Sequence, residues 1–387
     1  MNFAISKEGM LAVKCKTGIQ RMVALLLSLV TAVPFVICSA GAISVHSGKT
    51  ALTEQFVYGK GPKVNGYEID YRYYSPVKEL PEKEAEETND EETKEENDTP
   101  EEATKYPLVV WLHGHSFGQY DGYQIKKVPI TNWGSDEYQS RFGESGGAYI
   151  MAVRAPEDDG ISWNEDLLKP LKFTIDDFIL KNSDTIDTSR IYIGGFSLGG
   201  KMTFRMCTEY PEMFAASFPV CPYIRINSSQ ARAFSSVPVW IVSGRNDILV
   251  SYSSKTMRNW NAVINTTAVA ESCRLSTLTD VREPDGSRAP SAHYSWIAVC
   301  NDMFSSSNGA YPDMTTVNGL GETVTLAYPD GMISWLSQFD SDYSLEDIDI
   351  SDTGSSTRSQ SVFKIIKALF MRIYIPFRNL VRSSSVK

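Results

Sequence analysis

The sequence predicts an α/β protein, a mostly parallel twisted sheet with helices on both faces, and three observations carry that prediction. Leu108-Val109-Val110-Trp111-Leu112 and Tyr149-Ile150-Met151-Ala152-Val153 are unbroken apolar runs, the pattern of strands buried on both faces. Leu171, Ile175, Phe178 and Ile179 recur at i, i+4, i+7 and i+8, which is one face of a helix begun near Pro170. Ile191-Tyr192-Ile193 then runs through Gly194-Gly195-Phe196 into Ser197 and on into helix-compatible residues up to Pro211. Strands alternating with helices give a parallel sheet.

Taken in order, residues 1–42 begin with Lys14, Lys16 and Arg21 ahead of the apolar run Met22 to Cys38, followed by small residues ending Ala40-Gly41-Ala42. That is the layout of a secretory signal with a small-x-small cleavage site. The run is also near the lower limit for spanning a bilayer, so an uncleaved N-terminal anchor stays open. Either reading places the protein outside the cytoplasm, secreted or at the cell surface.

Tyr67, Ile69, Tyr71 and Tyr73 alternate with polar residues, as in a half-buried antiparallel edge strand. From Glu79 to Lys105, thirteen acids face three lysines, a net of −10 that equals the formal charge of all 387 residues. The remainder is near neutral, and nothing in this balance suggests a nucleic-acid binder. The acidic stretch has no apolar periodicity and reads as a solvated disordered insertion.

Next to the glycine-flanked serine, other strands end in residues of matching chemistry. Leu108 to Leu112 leads into His113-Gly114-His115-Ser116, and Pro238-Val239-Trp240-Ile241-Val242-Ser243 leads into Gly244-Arg245-Asn246-Asp247. In a parallel sheet, ligands bind beyond the carboxyl ends of the strands, where these segments converge. Gly195-Phe196-Ser197-Leu198-Gly199 is the Gly-x-Ser-x-Gly pattern at a strand-to-helix turn. Its flanking glycines leave room where a strained serine backbone is crowded. A serine nucleophile needs a base and a carboxylate to orient it. Of the four histidines, only His293 follows both Ser197 and Asp247, which completes the order Ser, Asp, His. Asp247 as a turn former and His293 as a surface histidine are the plainer alternatives for each residue alone.

These residues resemble the secreted α/β-hydrolase esterases of the polyhydroxybutyrate depolymerase, feruloyl and acetylxylan esterase and prolyl-oligopeptidase-like group. The resemblance covers roughly residues 67–339. It rests on Lys105 to Gly114, Ser189 to Gly200, Tyr210 to Ala216, Pro238 to Asp247 and His293-Tyr294-Ser295-Trp296. It implies an α/β-hydrolase catalytic domain over 43–339, with Ser197 as nucleophile, His293 as base and Asp247 as its carboxylate. It further implies an oxyanion hole from the backbone N–H groups of Leu198 and His115, and Trp163, Trp296 and His113 at the substrate. The implied substrate is a small or polysaccharide-linked ester, with no metal and no cofactor. A peptidase of the prolyl-oligopeptidase type and a non-catalytic binding module are the rival functions. The segment from Asn301 to Leu326 is unlike compact members of the group and is placed to reshape the substrate cleft.

Cys207, Cys221, Cys273 and Cys300 permit two disulfides in an exported chain, while their apolar surroundings suit buried thiols equally well. Residues 340–361 form an acidic, then Ser-rich linker. In 362–387, Ile365, Ile366, Leu369, Phe370 and Ile373 oppose Lys364, Lys367 and Arg372. This is a basic amphipathic helix suited either to packing on the domain or to a membrane-surface contact.

Overall fold

A computed structural model describes residues 50–77, 104–156, 163–305, 314–327 and 329–349. The expected leader 1–42, the acidic insertion up to residue 103, the linker from 350 and the basic helix 362–387 lie outside the described residues. Nine strands form one sheet: β1 (Val57–Val64), β2 (Tyr67–Tyr74), β3 (Tyr106–Leu112), β4 (Tyr149–Arg154), β5 (Ile186–Phe196), β6 (Ala216–Val220), β7 (Trp240–Gly244), β8 (Arg274–Leu278) and β9 (Met314–Asn318). Their order is β1-β2-β4-β3-β5-β6-β7-β8-β9. The pairings from β4 across to β8 are parallel, and those of β1 with β2, β2 with β4 and β8 with β9 are antiparallel.

Side chains alternate across a strand, so β3 divides its residues between two cores. Leu108, Val110 and Leu112 join one apolar cluster, and Val109 and Trp111 join the other. On the first face lie α1 (Leu168–Lys181) and α2 (Leu198–Glu209). Pro170 sits in the first turn of α1, where its missing N–H costs nothing, and Leu171, Ile175, Phe178 and Ile179 are buried. Phe178 meets the rings of Tyr71, Tyr73 and Tyr149 edge-on at 5.0–5.8 Å. Burying such a ring is worth about 2–3 kcal/mol. α3 (Met257–Ile264) follows the β7 loop, while α4 (Trp296–Cys300) and α5 (Met332–Leu336) cover the second face.

Three segments differ from the expectation. β2 is not an edge, because β1 pairs outside it. The β1 sequence hides its strand behind Gly59, Gly61 and Pro62. Gly59 is required there because a Cβ would lie 2.2 Å from the Tyr71 ring. Within 301–326, Met314–Asn318 adds a ninth strand to the far edge of the sheet. The chain also stays on the domain past residue 339. Tyr343 is buried in the first core with its hydroxyl donating to Asp176 Oδ1 at 2.8 Å, and Ser341 N–H donates to Ser189 O. All four described cysteines are free and buried. Among the described residues no helix is long and apolar enough to cross a membrane.

Candidate active site

Ser197 stands between the last residue of β5 and the first of α2, with φ 57° and ψ −112°. A non-glycine residue in that region stores about 1–3 kcal/mol of strain and persists only where its surroundings enforce it. Here the backbone is held on both sides. Ser197 N–H donates to Val220 O at 2.9 Å, while Ser197 O accepts from Lys201 N and Tyr223 N. The flanking glycines are needed because β3 ends against the turn. A Cβ on Gly199 would lie 2.1 Å from Leu112 O, and one on Gly195 2.5 Å from the same oxygen. Ser197 is largely buried, and its hydroxyl makes no hydrogen bond among the described residues.

β7 delivers Asp247. One carboxylate oxygen, Oδ1, accepts the N–H groups of Leu249 and Val250 at 2.8 and 2.9 Å, and the other, Oδ2, faces His293 Nδ1 at 2.7 Å. His293 lies in a short 3-10 turn, Ala292–Tyr294, where Ser291 Oγ accepts its N–H. That turn presses on the end of β7, since a Cβ on Gly244 would come within 2.2 Å of Ala292 O. With Nδ1–H directed at the carboxylate, Nε2 is left as the acceptor. Burial works against the imidazolium, but the Cys221 sulfur and the hydrogen bond and charge of Asp247 outweigh it. They hold His293 above its ordinary 6.5.

The loop after β3 closes another side. Phe117 N–H returns to Gly114 O at 3.2 Å, Ser116 has φ 63°, and a Cβ on Gly114 would lie 2.5 Å from the Phe196 ring. His115 is exposed. The backbone N–H groups of Leu198, in the first turn of α2, and of His115 donate to no acceptor among the described residues. Free donors beside a helix N-terminus favour negative charge.

Strand order decides the fold: the serine follows β5, the aspartate β7 and the histidine β8 of a sheet ordered 1-2-4-3-5-6-7-8. The chain has the α/β-hydrolase fold. No family model matches the sequence. Over 154 residues, 39% of this α/β-hydrolase chain, it is 29% identical to the bifunctional acetylxylan esterase/xylanase XynS20E of Neocallimastix patriciarum. The match spans 20% of that relative's length. Among solved structures it is similar to a thermostable esterase, at TM-score 0.48 and 23% identity over 65% of this chain and 62% of the other. A CIB-like hydrolase of Thermoplasma acidophilum gives TM-score 0.38 and 16% identity over 64% of this chain and 93% of its own.

The three side chains expected at the substrate are buried. His113, Trp163 and Trp296 are only 1%, 1% and 3% exposed. His113 Nδ1–H donates to Gly114 O and its Nε2 accepts Ala155 N–H, so both ring nitrogens are satisfied, one within the loop after β3 and the other across to the end of β4. Trp163 Nε1 donates to His113 O, and Trp296 packs on Phe196 and Tyr294. These rings support the loops from behind. The exposed apolar groups near the site are instead Ile248 (89%) and Leu249 (58%), directly after Asp247, and Tyr223, whose N–H holds Ser197 O. Lys255 lies over the Tyr223 ring. Their position beyond strand ends was readable, but which of them face solvent was not. Cys221 is a further neighbour that sequence reasoning left as an ordinary buried thiol. Its N–H goes to Val242 O, and its Sγ–H donates to His293 O at 3.4 Å.

Proposed function

We propose that the chain is an exported serine hydrolase that cleaves carboxylic esters, small or carbohydrate-linked, through Ser197, His293 and Asp247. One observation carries this reading: a serine strained at a strand-to-helix turn shares the carboxyl end of the sheet with a buried Asp247–His293 hydrogen bond of 2.7 Å. The similarity to an acetylxylan esterase over 154 residues supports the ester as the bond attacked. Export rests on the signal-like pattern of residues 1–42, which N-terminal sequencing of the secreted protein would check.

His293 Nε2 takes the hydroxyl proton as Ser197 Oγ attacks the ester carbonyl. The developing oxyanion lies against the N–H groups of Leu198 and His115, which hold no other partner to be displaced. Asp247 keeps the imidazole in the Nδ1–H tautomer and stabilises the imidazolium that forms. The imidazolium then protonates the departing alcohol oxygen, leaving an acyl-serine. His293 next deprotonates a water that attacks the acyl carbon, and the proton returns to Ser197 as the acid leaves.

Fluorophosphonate labelling tests the assignment. The wild type is expected to be labelled and Ser197→Ala to lose the label. Label persisting in Ser197→Ala would refute the nucleophile, and an unlabelled wild type would favour a binding module on this scaffold. Hydrolysis of p-nitrophenyl, acetylxylan and feruloyl esters without cleavage of peptides separates the esterase from the peptidase.

A further inference from the structure

We propose that Cys221 turns the Asp247–His293 pair into an inhibitory site for a thiophilic divalent cation such as Zn²⁺. Cys221 Sγ, a carboxylate oxygen of Asp247 and a ring nitrogen of His293 all lie within 4.8 Å of one another, and all three residues are buried. It is the one such trio among the described residues. Thiolate and imidazole select Zn²⁺ over hard cations, carboxylate is a further accepted zinc donor, and three protein ligands leave a fourth position for water. Tetrahedral bonds of about 2.0–2.3 Å set ligand atoms roughly 3.3–3.7 Å apart. The 2.7 Å contact between Nδ1 and Oδ2 would therefore open by about half an ångström, and the sulfur would move inward by up to about an ångström.

The backbone already presents the sulfur to this point. Cys221 has φ 34°, outside the usual range for a side-chain-bearing residue, and its N–H is fixed to Val242 O at 2.7 Å. His293 keeps 8% of its side chain exposed, which gives the cation its approach.

Counted from the neutral imidazole, binding balances with the loss of one proton, and where His293 is imidazolium a second leaves from Nδ1. The thiol releases its proton to solvent, and the imidazole keeps its own, moved from Nδ1 to Nε2 as Nδ1 takes the metal. No group is oxidised or reduced. A protonated Nε2 cannot accept from Ser197, so the cation blocks the proposed base without touching the serine. This inhibitory consequence rests on the proposed triad, but the binding does not. Because protons leave, affinity rises with pH, by up to about tenfold per unit for each.

The experiment uses the full-length chain, with Zn²⁺ titrated against a chromophoric chelator and p-nitrophenyl acetate hydrolysis followed in parallel. Expected are one Zn²⁺ per chain, at least one proton released per Zn²⁺ in weakly buffered solution, at least tenfold inhibition reversed by EDTA, and no inhibition by Mg²⁺ or Ca²⁺. Ser197→Ala is expected to bind Zn²⁺ as the wild type does. Cys221→Ser and Cys221→Ala are expected to bind at least about 30-fold more weakly, with the same heat-unfolding midpoint as a check of folding. Equal Zn²⁺ affinity in folded Cys221 variants would overturn the site. So would binding without proton release, a measurement on the wild type that stands even where those variants fold poorly. Zn²⁺ bound by Ser197→Ala while the wild type lacks esterase activity would sink the proposed function and leave the metal site standing.

Discussion

Two histidines lie buried at the carboxyl end of the same sheet, and their surroundings give them opposite chemistry. His113 at the end of β3 meets only neutral backbone groups, Gly114 O and Ala155 N. Burial therefore pushes it down to about 4, with Arg154 and His115 adding to the effect against the Gly114 hydrogen bond. His293 after β8 is nearly as buried, yet Asp247 and Cys221 outweigh burial and raise it. Burial alone makes an imidazole inert. A carboxylate at 2.7 Å makes it a base held in one tautomer.

The largest effect that would break this contrast is in Asp247→Asn. Removing the charge and the preference for the Nδ1–H tautomer should lower kcat/KM for p-nitrophenyl acetate by about 10⁴-fold. The acidic limb of the pH profile marks protonation of the base, so in the wild type it lies above pH 6.5 and activity falls as pH drops through it. In Asp247→Asn the limb should move to lower pH. A loss under about tenfold with an unmoved limb would leave Asp247 as a turn former only.

A second effect tests what holds the two regions together. Gly199, in the first turn of α2, fits against the end of β3 only because it lacks a Cβ, which would strike Leu112 O and His113 O. Both obstacles are backbone, so neither can rotate away. Gly199→Ala should cost about 3 kcal/mol in urea unfolding, with loss of turnover as the first turn of α2 shifts from the β3 loop. Wild-type stability in that variant would mean the β3 loop is free to retreat and does not define the site.

Part of this was legible without coordinates. Leu108 to Leu112 in β3 and Tyr149 to Val153 in β4 are apolar at every position because both faces are covered. The order Ser197, Asp247, His293 was legible because strand ends carry the chemistry in any parallel sheet. β1 was not, since Gly59, Gly61 and Pro62 suppress a strand pattern that only the Tyr71 and Thr174 side chains above them explain. Trp163 and Trp296 are placed at the substrate by the resemblance, and a sequence does not say whether a tryptophan ring faces a cleft or the interior. Cys221 acts through a sulfur that reaches His293 O across 72 residues, a contact no local pattern encodes. Tyr343 fell in an acidic stretch, and its burial depends on Asp176 of a distant helix.

The smallest effect concerns His113 alone and is read in stability, not in rate. Its folded value of about 4 lies below the ordinary 6.5, so between those values the unfolded chain binds the proton and the folded chain does not. The stabilisation is present above pH 6.5 and is lost as pH falls toward 4. At pH 4.5 the loss is about 2–3 kcal/mol from this group. His113→Gln keeps a donor and an acceptor at the same place but cannot take up the proton. It should start lower at pH 7, because the amide fits the Gly114 and Ala155 positions less well, and lose about 2–3 kcal/mol less than the wild type between pH 7 and pH 4.5. Parallel urea curves at the two pH values measure this. An equal acid loss in both proteins would mean that His113 takes up its proton inside the fold and burial does not depress it, and the difference between the two histidines would then rest on Asp247 and not on burial.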